Sequence, residues 1–208
     1  MRGTRSMRLP GRSPGRWLGR WLGLAIAIVA TAAAPAGAAP KKKYHFELTA
    51  VTAKAELKPE VAKLATPRIE AQIRKAFGGH AQLVAKLDGA PDPRSAADAY
   101  RRYLTQHGIA GAYLVTVEIT EAAETLEPLD DKTSQRLVIR IGIHMLGETV
   151  PGRTMGFTGD GKATIKQEVG IKLRDRDREY TWDQAAELAV DDAMKTVFQQ
   201  LDTPPKKK

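Results

Sequence analysis

In "GAYLVTVEITEAAETLEP" (111–128) and "QRLVIRIGIHMLGE" (135–148), apolar side chains return at every second position, the second stretch placing Leu137, Ile139, Ile141, Ile143 and Met145 on one face. Period-two alternation is the signature of a half-buried strand. Strands that present one continuous apolar face must pair and then cover that face with a second layer. The two stretches are joined by an acidic turn, so they are expected to run as neighbours in a meander. This pair excludes an all-helical fold.

The remaining elements flank that pair of strands. Tyr44, Phe46, Leu48 and Ala50 alternate with polar residues and predict a first strand. In "KPEVAKLATPRIEAQIRKAFGG" (58–79), Pro59 and Pro67 each suit the first turn of a helix, Ile69, Ile73, Ala76 and Phe77 share a face, and Gly78 ends the run. "HAQLVAKLDG" (80–89) predicts a second strand stopped by Asp88-Gly89. Ser95, with Asp98 three residues on, resembles a helix cap, and Tyr100, Tyr103, Leu104 and His107 follow at helical spacing. "GKATIKQEVGIKL" (161–173) predicts a fifth strand. Thr181 and Gln184 form a capping box ahead of a broad apolar stripe from Trp182 to Leu201. The order β-α-β-α-β-β-β-α predicts a single two-layer α/β (α+β) domain, a mixed sheet of about five strands with three helices, over residues 44–202.

Six arginines and no acidic residue occupy positions 1–20; a short apolar stretch follows, and then small residues with Ala36-Gly37-Ala38 in an A-x-A pattern. That order predicts a secretory signal peptide over 1–38. The apolar run is too short to span a bilayer. The chain has no cysteine, so neither a lipid-bearing cysteine nor a disulfide can form. A periplasmic or secreted, non-lipidated protein is expected. The formal charge of +9 belongs to the ends: six arginines lie in the signal and six lysines in the segments 39–43 and 203–208, which leaves 21 basic against 24 acidic residues in the body. A folded nucleic-acid groove needs basic and aromatic residues clustered on the body, and none is visible. Lys41–Lys43 and Lys206–Lys208 are most simply solvated tails; a weak contact with an anionic membrane or polymer is the functional alternative.

Catalytic patterns are sparse. "GFTGDGKA" (156–163) nearly matches a phosphate loop but carries Ala163 at the hydroxyl position and leads into a predicted strand rather than a helix, so Asp160-Gly161 is read as a hairpin turn. Beyond the signal only Ser95 and Ser134 could serve as serine nucleophiles, and neither sits in a G-x-S-x-G elbow. His45, His80, His107 and His144 lack metal-ligand spacing. The acids of "EAAETLEPLDD" (121–131) read as a solvated hairpin tip, and "KLRDRDREY" (172–180) as a self-neutralising surface run. No catalytic, cofactor-binding or metal residues are assigned.

At "HGIAGAYLVTVEIT" a helix ends in glycine and Gly111-Ala112-Tyr113-Leu114-Val115 enters a strand that runs into a meander and a closing alanine-rich helix. In this order of elements, over residues 44–201, the chain resembles the exported α/β modules of the TolB amino-terminal domain, the curli-secretion family and the outer-membrane activators of penicillin-binding proteins. The resemblance implies a non-catalytic binding or assembly part of the envelope, and the missing lipobox cysteine departs from its lipidated members. The function expected is a non-enzymatic exported cell-envelope protein that binds another protein or a cell-wall component; the alternative is a small hydrolase or small-ligand carrier with a dispersed site. With all three helices on the side of Val115 and Ile139, the other side would show Leu114, Thr116 and Glu118 beside Val138, Arg140, Gly142 and His144. Leu114, Thr116, Val138, Arg140 and His144 are therefore the expected contacts for an envelope protein or a second copy of the chain, with Val138 exposed.

Amino-terminal sequencing of the exported protein should begin within about two residues of Ala39; recovery of envelope protein with residues 1–38 attached would overturn the signal assignment.

Overall fold

The computed structural model describes residues 41–130 and 133–203. Four strands form one sheet in the order β1-β2-β3-β4, from β1 (Lys43–Ala53), β2 (Ile109–Pro128), β3 (Ser134–Thr149) and β4 (Met155–Gly170). β1 runs parallel to β2, and the other pairs are antiparallel. Three helices complete the fold: α1 (Pro59–Gly79), α2 (Ala97–Gln106) and α3 (Asp175–Asp202). The observed order is thus β-α-α-β-β-β-α, one strand fewer than expected. "HAQLVAKLDG" does not become a strand: only Leu83 bridges Tyr44, through Tyr44 N–H to Gln82 O and Val84 N–H to Tyr44 O, both at 2.8 Å. The segment is an edge clip of one residue pair.

α1 and α3 cover the face that holds Val115, Val117, Ile119, Leu137, Ile139, Ile141, Ile143 and Met145, all fully buried. α1 contributes Ala65, Ile69, Ile73 and Phe77 at the predicted helical spacing. Pro59 opens it as expected, but Pro67 lies inside the helix rather than starting another one. At the β1 end the core is aromatic, with Phe46 at its centre: its ring centroid lies 5.0 Å from Phe157, 5.4 Å from Phe77 and 5.9 Å from Phe198.

α2 departs from the two-layer expectation. Tyr100 and Leu104 pack with Ile109 and Ala112 as a separate small core, and Ala112 belongs to the side of β2 opposite Tyr113 and Val115. The helices therefore lie on both sides of the sheet. Ser95 does not cap α2; its hydroxyl donates to Asp92 at 2.9 Å, and residue Ala96 precedes the helix without a side-chain cap. The turn between β3 and β4, with a cis Val150–Pro151 peptide, joins this second core, since Val150 N–H donates to Ala112 O at 2.9 Å.

Asp160-Gly161 is not a turn. It sits inside β4, and its glycine answers to α3. A Cβ on Gly161 would stand 2.0 Å from Ala189 O, and one on Gly159 would stand 2.5 Å from Val197 Cγ2, so helix and strand backbones are nearly in contact there. At that spacing the polar face of α3 completes the outer edge of β4. Asp192 accepts from Lys162 N–H at 3.1 Å, Thr196 donates to Asp160 O at 3.3 Å, and Gln200 accepts from Thr158 N–H at 2.9 Å.

α3 begins two turns before the predicted capping box, so "RDRDREY" is largely its first turns rather than a free surface run, and Thr181 lies within the helix. The reason is Glu124. A register shift between Ile119 and Glu121 turns β2 so that Glu124 pairs with Ile139 on the core side, where its Oε2 accepts from Trp182 Nε1 and Arg178 Nε, each at 2.8 Å. Glu124 was expected at a solvated hairpin tip and instead anchors a buried tryptophan; Asp131 of that stretch lies outside the described residues.

Gly161→Ala should lower unfolding free energy by about 3 kcal/mol, because the added methyl meets main-chain atoms that cannot step aside. Gly170→Ala, with nothing within 4 Å of the new atom, should stay within about 0.5 kcal/mol of the parent. Urea melts of the two variants compare them; equal stabilities would refute the tight helix–strand contact.

Candidate functional site

α2 and the loop before it cover only one end of the second sheet face, and a cavity of about 660 Å³ opens where that cover stops. β1 supplies His45 and Glu47, β2 supplies Leu114, the loop supplies Leu87, Pro91, Pro93 and Arg94, and the β3–β4 turn supplies Val150, Pro151 and Arg153. Tyr100 closes it from α2. The lining is mostly apolar with a few charged groups, as in small-molecule and peptide clefts, and the volume falls in their range.

Geometry fixes several of the polar groups. His45 Nδ1 lies 2.7 Å from Val84 O. A carbonyl only accepts, so Nδ1 carries the proton and Nε2 is the nitrogen left for another partner. Burial, and then the nearby Glu47 carboxylate and Tyr103, raise the Tyr100 phenol above its ordinary value. At neutral pH Tyr100 thus offers a hydroxyl, not a phenolate. The Arg94 N–H and the Ser95 hydroxyl hold the Asp92 carboxyl below its ordinary range. Asp92 is therefore committed to shaping its own loop. Arg153 pairs with Glu148 at 3.1 Å. Glu47 and Arg94 make no ion pair among the described residues. The cleft can offer a carboxylate, a guanidinium and an imidazole against an apolar floor. Ser95, whose hydroxyl donates to Asp92, is not poised as a nucleophile. No cluster of metal-ligating side chains occurs among the described residues.

The five expected contact residues do share this sheet face but not one patch. Leu114 pairs in register with Glu148, Thr116 with Leu146, and His144 with Glu118, so these three lie together beside the cavity. Val138 pairs with Thr125, ten residues along β3 from Glu148, about 33 Å away. Arg140 is exposed between them. His144 Nδ1 stands 2.7 Å from Asp160 Oδ1 across the β3–β4 register, a partly exposed pair of small energetic weight. Val138 was expected to be exposed and is only 1 % so. Its register partners are Thr125 and Lys166, with Arg136 and Arg140 flanking it along β3. Long cationic side chains lay their aliphatic stems on such a position while their charges stay in water.

The loop and turn that build the cavity were not expected from the sequence. Their signal was present: Ala112, Tyr113, Leu114 and Val115 are apolar on both faces, whereas Thr116 and Glu118 return to alternation. A strand apolar on both sides is covered on both sides.

No protein-family model matches the chain, and no curated protein matches it. Solved structures align with the chain only at low identity and low TM-score. The minor lipoprotein of Acinetobacter baumannii is 10% identical over 79% of this chain and 100% of its own, with a TM-score of 0.38. The rare lipoprotein B of Shewanella oneidensis is 8% identical over 76% of this chain and 96% of its own, with a TM-score of 0.37. Neither is of the TolB, curli-secretion or penicillin-binding-protein activator types expected from the sequence, and scores of this size carry no functional weight.

Val138→Asp should destabilise the fold by about 2 kcal/mol or more, since taking a carboxylate out of water at this buried position costs more than neighbouring cations with solvated charges return. Arg140→Glu, two residues on but exposed, should change the melting midpoint little. Thermal melts followed by circular dichroism decide; a native-like Val138→Asp would restore that position to the surface.

Proposed function

We propose that the protein is a non-enzymatic cell-envelope protein that binds another protein through the cleft beside α2 and the adjoining strip of Thr116, Arg140 and His144. One observation carries this reading. The second sheet face is covered at one end only, and the boundary of that cover is a cleft with an apolar floor and with Glu47 and Arg94 unpaired. An apolar floor rimmed by exposed charges is the layout of a docking site, where a partner covers the floor and the charged rim selects it. The export signal in residues 1–38 supports the envelope as the address.

A second reading, a carrier of a small ligand, is favoured by the cavity volume alone. Native mass spectrometry of protein purified from its own envelope separates the two, because a carrier brings a small molecule with it.

The expected result for the protein reading is capture of a defined envelope protein by the tagged chain. Glu47→Lys and Arg140→Glu, both at exposed positions, should each reduce that capture at least tenfold with unchanged circular dichroism, by disrupting the charge match at the site. Capture indifferent to both substitutions would reject the cleft as the docking site.

A further inference from the structure

The segment 82–84 follows the outer edge of β1 for one residue pair and then leaves it. Tyr44 N–H donates to Gln82 O and Val84 N–H to Tyr44 O, each at 2.8 Å, with Leu83 parallel to Tyr44. Were this ladder to continue, Phe46 N–H would take Val84 O, because parallel pairing spends both main-chain groups of every second residue on one neighbour. Val84 O lies instead 2.7 Å from His45 Nδ1. The chain beyond it turns onto the second sheet face, where Leu87 and Ala90 pack against the small core of Tyr100 and Ile109. Phe46 and Leu48 point their main-chain groups the same way as Tyr44 and meet no main-chain partner among the described residues. Leu87 and Ala90 of the departing segment line the cleft, and His45 and Glu47, on either side of Phe46, line it from β1. The vacant edge and the cleft therefore adjoin.

We propose that the partner enters as an extended peptide segment that adds to β1 at Phe46 and Leu48 and sends alternate side chains into the cleft. This rests on the cleft being a protein-docking site, and it names the part of the partner that docks. A row of main-chain donors and acceptors at strand spacing is met in full only by another extended main chain, so neither a helix nor a lipid satisfies it. The two residues offer two donors and two acceptors, which engage a segment of about five residues. Side chains alternate across a strand, so the segment's residues on the face of His45 and Glu47 meet Leu87, Tyr100 and Leu114. Glu47 is exposed beside that row and selects lysine or arginine at one of these positions, by the cross-strand attraction of opposite charges. The other cleft-facing positions are apolar, and proline is excluded wherever a donor is needed.

Selection from random peptides of about ten residues displayed on phage, with the purified protein as bait, tests this. Binders are expected to carry apolar residues at alternate positions, with lysine or arginine among them. For a synthetic binder, N-methylation of the main-chain amides at one alternate set of positions should weaken binding about tenfold or more, and methylation of the other set should not, because an added strand uses one of its two edges. On the protein, Leu48→Pro removes an edge donor and should weaken the same peptide about tenfold with unchanged circular dichroism. Leu48→Ala keeps the N–H and should bind like the parent. If Leu48→Pro does not fold, the methylated peptides decide. The proposal is overturned if no peptide is selected, or if both methylated sets matter or neither does. Capture of an envelope protein that depends on Glu47 but is indifferent to Leu48→Pro would sink strand addition and leave the cleft reading standing; capture indifferent to Glu47 as well would remove both.

Discussion

Everything in the sheet-and-helix body is referred to the contact between α3 and β4. At Gly159 and Gly161 the helix comes so close that a single methyl would collide with its main chain, and Ala189 and Ala193 present equally small surfaces from the other side. Four residues of α-helix advance about 6 Å and two residues of strand about 6.6 Å. The two lattices therefore stay in step over the contact, and Asp192, Thr196 and Gln200 meet Lys162, Asp160 and Thr158 in turn. A helix held this way is a fixed wall. α1 then docks against it with Arg68 3.2 Å from Asp183 and Lys75 2.9 Å from Glu187, and Trp182 finds its only carboxylate partner in Glu124.

The core was legible because it rests on periodicity. Leu137 to Met145 and Ile69, Ile73 and Phe77 are buried as their spacing implies, since period two and period 3.6 each assign a face without knowledge of the neighbours. What failed were readings that depend on a neighbour. Asp160-Gly161 has the composition of a hairpin turn, and only the arrival of α3 makes that glycine a packing residue. Glu124 belongs to a run of acids that looks solvated until a bulge in β2 rotates it inward. "HAQLVAKLDG" has strand composition but only one residue of it reaches Tyr44.

The site was half legible for the same reason. Alternation placed Leu114, Thr116, Arg140 and His144 on one face. It could not say that α2 would take part of that face, because the helix could be assigned to a side only through the small second core it forms with Ile109 and Ala112. Nor could alternation measure distance along the sheet: the bulge in β2 and the antiparallel register separate Leu114 from Val138 by most of the length of β3. Exposure on a sheet face also depends on what lies beside a residue. Val138 is buried although Lys166 stands opposite it in register and Arg136 and Arg140 lie beside it on the same face.

The two margins of the sheet are treated unequally. Over Thr158, Asp160 and Lys162 the β4 margin is closed by the polar ladder of α3. On the β1 margin the clip at Tyr44 engages one residue, and because main-chain groups alternate in direction, those of Phe46 and Leu48 point the same way as Tyr44's and meet no backbone partner among the described residues. The open groups at Phe46 and Leu48 give β1 a row onto which an extended segment can add as a strand, whereas along β4 the same kind of group is already spent on α3 at Thr158, Asp160 and Lys162.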